Sequence, residues 1–254
     1  MAFAKQFFTG SFSREFLVKR LVPCMYAFLF GCMLVADLLF PPGSNGEPGY
    51  VPFTRTISGQ GNRADNPLGA WFFTIGLVGT ATCLVAFAMH AWRRLVVPCK
   101  HTANIALFFS IAGAAGFAMV GIWDEQATCL AMDGSGTCLV YSNVVHTIGS
   151  AIAFGGILLS ILLHLFPMLK HRAVTGKDAF GAWWQLGHVI GFVLFFAIAA
   201  FVQNIPGIIP FFKRYAFWQW SLFLLIAIYY LSLTIRLPRD VPAPSKARHD
   251  PSTA

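Results

Sequence analysis

The 254-residue chain is 57% hydrophobic and only 11% charged, with a formal net charge of +8. Soluble domains carry roughly a quarter charged residues, and together with a mean hydropathy of +0.65 this composition argues against a soluble fold. In a soluble protein the excess of cations would suggest nucleic acid; here it is the position of the cations that matters.

Residues 1–20 form a basic, amphipathic segment in which Lys5, Arg14, Lys19 and Arg20 lie among Phe3, Phe7, Phe8, Phe12 and Phe16. It reads either as a helix lying on the inner membrane surface or as a disordered basic tail. The apolar block that follows is too long for a signal-peptide core, and no small-residue cleavage site ends it, so it is expected to be a retained first span. Apolar blocks then recur at 21–40, 68–92, 102–123, 141–169, 183–202 and 215–235. Each approaches the roughly 20 residues a helix needs to cross the hydrocarbon layer. The expected fold is all-α: an integral membrane bundle of six transmembrane helices within residues 21–237. The tail at 238–254, rich in Pro, charge and small residues, is expected to be disordered.

Lys and Arg cluster before the first block, at Arg93, Arg94 and Lys100, at Lys170, Arg172 and Lys177, and at Arg236, Arg239, Lys246 and Arg248. With six spans these segments share one side. Positive loops stay cytoplasmic, so both N- and C-termini are expected in the cytoplasm and the protein in the plasma (cell inner) membrane. Lys213 and Arg214, between the last two blocks, are a mild exception. The basic charge therefore reads as topology and attraction to anionic lipid. Membrane lipids are the expected partners, nucleic acid is not, and no protein partner can be named.

Three connections fall on the opposite side, at 41–67, 124–140 and 203–214. The second contains Cys129 and Cys138, nine residues apart across Asp133-Gly134-Ser135-Gly136, and a disulfide is expected there if the outside is oxidising. Cys24, Cys32, Cys83 and Cys99 read as small hydrophobes. No pair has CxxC spacing, so neither a zinc nor a thioredoxin-type site is expected.

Ionisable groups at membrane depth are functional candidates by default. Asp37, near the outward end of the first block, needs a partner, and Arg55 and Arg63 are at hand. His146 opens the fourth block with Asn143 and Ser150 on the same helix face. Asp124, Glu125, Gln203 and Asn204 follow the third and fifth blocks, and Ser58, Gln60 and Asn66 precede the second. These residues either form one polar pocket at the outer headgroup level or are separately hydrated. The pocket reading rests on Asp37, Ser58, Asn66, Asp124, His146 and Ser150.

On the inner side, His90, His164 and His188 are alternative haem ligands, since bis-histidine sites draw on neighbouring helices; otherwise they are interfacial histidines. The outer side offers only His146, so no cofactor is assigned. HExxH, GxSxG and GxxxxGK[ST] motifs are absent. A zinc hydrolase needs about three ligands, of which Asp124 and His146 supply two, so no metal site is assigned. A Ser58, His146 and Asp124 triad has no support from spacing. Small residues at Gly76, Gly79 and Thr80, at Ala112, Gly113 and Gly116, and at Gly149, Ala153 and Gly156 favour close helix packing. No inverted repeat stands out.

Two patches carry a family resemblance. Thr56-Ile57-Ser58-Gly59-Gln60-Gly61, continuing to Asn66-Pro67-Leu68-Gly69-Ala70-Trp71-Phe72-Phe73, resembles the entry to the second span of the Frag/DRAM/Sfk family. Val145-His146-Thr147-Ile148-Gly149-Ser150-Ala151-Ile152-Ala153-Phe154 is similar to the opening of its fourth span. A related bacterial domain of unknown function looks similar too. At position 59 this chain has Gly where eukaryotic members often carry an acidic residue. The resemblance implies six spans with cytoplasmic ends and a role in lipid remodelling, lipid asymmetry or membrane regulation. Ser58, Asn66 and His146 carry over as a structural or headgroup cluster. Three functions follow: a non-catalytic, lipid-interacting protein with an outward polar pocket; a b-type cytochrome using His90, His164 and His188; and an intramembrane lipid hydrolase centred on Asp124 and His146. A small-solute transporter has no feature that calls for it.

Overall fold

A computed structural model describes residues 2–42, 49–126, 128–132, 138–176 and 181–237. The tail at 238–254, Lys177 and the turn at 133–136 lie outside the described residues. Helix α1 (Ala2–Thr9) precedes α2, a single helix over Arg14–Leu38 with two π-type turns, at Leu17–Leu21 and Ala27–Gly31. A 3-10 turn at Ile57–Gly61 leads into α3 (Gly69–Leu95) and α4 (Lys100–Ile122). Strands β1 (Cys129–Met132) and β2 (Cys138–Tyr141) form an antiparallel hairpin. Then come α5 (Ser142–Thr175), α6 (Ala182–Asn204), the short α7 (Pro210–Lys213) and α8 (Tyr215–Arg236).

Six of these helices, α2 to α6 and α8, are long and apolar enough to cross a membrane, which makes the chain a multi-pass, all-α membrane protein. The first span starts earlier than the hydropathy suggests. Ser13 caps it by accepting a hydrogen bond from Phe16 N at 3.1 Å, and Lys19 pairs with Glu15 one turn back at 2.8 Å. Thus Arg14, Lys19 and Arg20 belong to the helix, and the residues before them are not a featureless tail. Gly10 turns α1 onto α3 with a left-handed φ of +64°. Any Cβ there would run into the α3 backbone at His90. The fourth span is also longer than expected, and its C-cap is the left-handed Gly176.

The spans pack through the small residues. A Cβ on Gly113 of α4 would stand 2.8 Å from Ile157 of α5, and a Cβ on Gly156 of α5 would stand 2.8 Å from Gly113 N. Backbone therefore meets backbone, the usual route to tight association where lipid removes the hydrophobic drive between helices. Ser110 and Ser160 hydrogen-bond across the same seam. Helix α6 is different: only 11% of its most apolar window is buried, against 56% for α3.

The alternate ends of the bundle differ in chemistry. One, the basic end, carries Arg93, Arg94, Lys100, Arg172 and Arg236. Arg172 lies over Trp183 at 4.7 Å and Arg236 over Trp184 at 5.6 Å. The other, the loop end, carries the long first connection, the hairpin and α7. Cys129 and Cys138 form a disulfide there, with Cα atoms 5.8 Å apart.

Candidate functional site

The long first connection plugs the loop end. Ile57, Ser58 and Gln60 of its 3-10 turn are buried, and Ile57 and Gln60 find hydrogen-bond partners on α8 and α2. Ile57 N donates to Gln219 Oε1 of α8 at 2.9 Å. Gln60 Nε2 donates to Asp37 Oδ1 of α2. Asn66 Nδ2 donates to Ala36 O and to Gln60 O, each at 3.0 Å, and its Oδ1 accepts from Gly69 N at 3.1 Å, so that one side chain joins α2, the turn and the start of α3. The partner Asp37 takes is therefore Gln60, not an arginine. Arg55 lies over Phe40, and Arg63 lies over Trp71 while donating to Ile122 O at 3.0 Å.

Tyr50 supports the plug from the side. Its hydroxyl donates to Thr56 O at 2.7 Å, and Trp220 Nε1 of α8 lies 3.2 Å from the same hydroxyl. Burial pushes the Tyr50 hydroxyl well above the ordinary phenol range. Phe53 nearby adopts φ +65° and stacks near Trp220 at 5.8 Å. A left-handed conformation is rare for a bulky residue, and aromatic packing holds it here.

Asp124 and His146 work at the base of the hairpin. Ser142 Oγ donates to Asp124 Oδ1 at 3.2 Å, and His146 Nδ1 meets Trp123 O at 2.7 Å. These bonds fix the end of α4 to the start of α5. Beside them lies Glu125, whose side chain is solvent-exposed; partial desolvation nonetheless raises its carboxyl above the usual range, while His146 opposes that shift. Glu125 Oε1 would lie 3.9 Å from a Cβ on Gly59. An acidic residue at 59 would thus meet a carboxylate already in place.

Ser58 and Ser150 come together with Gln219 around a cavity of about 20 Å³ between α3, α4, α5 and α8. Neither serine hydroxyl has a hydrogen-bond partner among the described residues, and Gln219 Nε2 has none either. A space of this size holds about one water. Ser150, Phe154 and Gln219 also line a second, larger space. This cleft of about 500 Å³ opens between α5, α6 and α8, with Ala151, Phe195, Ala199, Trp218 and Leu222 on its walls.

The six expected pocket residues therefore fall into three groups. Asp37 and Asn66 tie the plug, Ser58 and Ser150 face the cavity, and Asp124 and His146 clamp the hairpin. Gln203 and Asn204 stay in their own segment, bonding Lys213 O and Ala200 O. Gln60 and Gln219 hold the arrangement together. Gln60 is a candidate in the sequence beside Ser58 and Asn66; Gln219 is not, and stands out there only as a polar residue within an apolar block.

The three inner histidines do not all converge. His90 stacks on Phe12 at 4.6 Å and bonds Gly10 O. His164 bonds Tyr229 OH at 3.0 Å, Gln185 Nε2 lies 3.2 Å from the same hydroxyl, and His188 packs its ring against Tyr229 at 5.4 Å. His164 and His188 thus meet on Tyr229, in a polar knot linking α5, α6 and α8, while His90 lies apart from it. Among the described residues no three His, Cys, Asp or Glu side chains are grouped to hold a metal. The Ser58, His146 and Asp124 triad is likewise unassembled, since His146 and Asp124 bond other partners.

The family model described as "Protein of unknown function (DUF998)" matches residues 34–236. The chain belongs to this family. The match takes in the plug, the hairpin, the cleft and the last five spans, but only the end of α2, from residue 34. Comparisons with curated proteins and with solved structures find no match.

Proposed function

We propose that this DUF998 protein is a non-catalytic membrane protein that takes up a lipid at its loop end. The acyl chain lies in the cleft between α5, α6 and α8, and the first polar atoms of the lipid reach Ser150, Gln219 and Ser58. The observation that carries this reading is that Ser150 and Gln219 line both the apolar cleft and the small cavity behind it, where Ser58 joins them. Most ligand sites combine apolar walls with a few converging polar groups in this way, and this one opens sideways along membrane-spanning helices. The resemblance to the Frag/DRAM/Sfk family, with its lipid-linked roles, supports the same reading. On this reading the basic end is cytoplasmic, because positive loops stay inside, and the cleft opens to the outer half of the plasma membrane.

Native mass spectrometry of protein extracted in mild detergent tests the proposal. The wild type is expected to retain a lipid adduct. Ala151→Trp, which fills the cleft from an exposed position, should carry one lipid fewer than the wild type, whereas Ile190→Trp, away from the cleft lining, should match it. Equal lipid occupancy in all three folded proteins would refute this site.

A further inference from the structure

A second apolar space lies at the opposite end of the molecule, between α1, α2 and α3, and encloses about 480 Å³. Its lining is ordered by depth. Arg20 stands at the mouth near the basic end, Cys24 and Thr82 follow, and Phe28 and Gly79 form the floor towards the middle of the spans. Arg20 and Phe28 are eight residues apart on α2, about 12 Å along a helix axis. Gly79 is required for the floor, because a Cβ there would stand 2.5 Å from the Phe28 ring.

The roof is α1. Its Phe7 and Phe3 face the space, and Phe3 packs edge-on against Phe16 of α2 at 5.8 Å. Phe3 and Phe8 remain largely exposed, as expected of an amphipathic helix seated in the membrane interface. The end of α1 is anchored by Gly10 and by the stack of Phe12 on His90. The helix therefore overhangs the space without filling it.

Arg20 gives the space a polarity. It is exposed and has no hydrogen bond or ion pair with any described residue, whereas its neighbour Lys19 is already paired with Glu15. No carboxylate lines the space. A lone guanidinium at the mouth and an apolar floor deeper in the membrane match, in the same order, the head and tail of an anionic phospholipid.

We propose that this space is a binding site for one anionic phospholipid, with the phosphate on Arg20 and an acyl chain running under α1 to Phe28 and Gly79. Guanidinium pairs with phosphate oxygens in a two-pronged geometry that an ammonium cannot copy. The site is separate from the loop-end cleft and does not depend on it.

The test is native mass spectrometry of purified full-length protein titrated with dioleoyl phosphatidylglycerol or with dioleoyl phosphatidylcholine. The wild type is expected to bind one phosphatidylglycerol more tightly than phosphatidylcholine. Arg20→Gln should reduce phosphatidylglycerol affinity about fivefold, the factor equivalent to the ~1 kcal/mol that one basic side chain contributes at an anionic surface, and phosphatidylcholine affinity by less, because the choline cation already offsets its phosphate. Thr82→Trp, at an exposed position, should fill the space and remove the first binding event for both lipids. Ala151→Trp at the other cleft should leave the preference intact, which separates failure of this site from failure of the loop-end reading. Equal affinity of the wild type for the two lipids, or unchanged phosphatidylglycerol binding in folded Arg20→Gln or Thr82→Trp, overturns the assignment.

Discussion

At the α4–α5 seam, glycines bring two helices into backbone contact: Gly113 and Gly116 face Gly149, Ala153 and Gly156. On α6, by contrast, Gly187 and Gly191 have nothing within 4 Å of where a Cβ would be. The same residue type thus does opposite things in two neighbouring parts of the bundle. At the seam it excludes lipid from between the helices. On α6 it leaves a thin helix surface that lipid can cover. This difference identifies the rigid part of the fold.

The comparison is broken most directly by filling each kind of glycine. Gly116→Leu would drive a side chain into the α5 backbone. Overpacking typically costs about 1–3 kcal/mol, and with no flexible neighbour to move we expect the upper end or more, read as loss of monodisperse protein or a large fall in thermal stability in detergent. Gly191→Ala should do the reverse, raising stability by roughly 0.5–1 kcal/mol through helix propensity alone. If the two substitutions had similar effects, the seam would not be the rigid element.

A second test concerns how the plug is tied to that rigid part. Asn66 is fully buried and makes three hydrogen bonds. Asn66→Leu leaves Gly69 N and two carbonyls without their partner, at a cost of about 2–3 kcal/mol. The expected signature is local: faster hydrogen exchange across 57–69, with the α4–α5 seam still protected. Uniform loss of protection would mean that the plug and the seam unfold together.

Much of this was legible in the sequence, for reasons that can be stated residue by residue. The spans declare themselves because a bilayer demands long apolar runs. The Cys129–Cys138 bridge shows because nine residues around Asp133-Gly134-Ser135-Gly136 allow a short return, and the seam shows because small residues recur at helical spacing. The start of α2 was obscured by its own charges. Arg14, Glu15, Lys19 and Arg20 look like a tail until Ser13 is recognised as a helix cap. The site was harder still. Asp37, as a membrane-depth carboxylate, pointed to an arginine, but its partner is Gln60, a neutral amide brought in by a loop. Tyr229, which gathers His164, Gln185 and His188, reads in sequence as one more aromatic residue of an apolar helix. Such pairings depend on which helix faces meet, and hydropathy does not encode that.

The smallest expected effect concerns Glu125, at the junction between the plug and the hairpin. Its carboxyl is raised above the ordinary value of 4.5, chiefly by burial, with Asp65 and Asp124 adding to the shift. A carboxyl raised in the folded state binds its proton more tightly there than in the unfolded chain. Its favourable contribution is therefore full at low pH and is lost as pH rises from about 4.5 through the raised value. Glu125→Gln should remove that dependence, so the stability of the variant relative to wild type should grow as pH is raised through this window. Gly59→Asp should act in the opposite sense, placing a second carboxylate beside Glu125 and destabilising the protein at neutral pH by under about 1 kcal/mol, since both groups are partly solvated. The double variant Gly59→Asp with Glu125→Gln should recover that loss, because one carboxylate then occupies the junction instead of two. A double variant no more stable than Gly59→Asp alone would show that the two positions do not share one electrostatic site, and that the plug meets the hairpin by packing only.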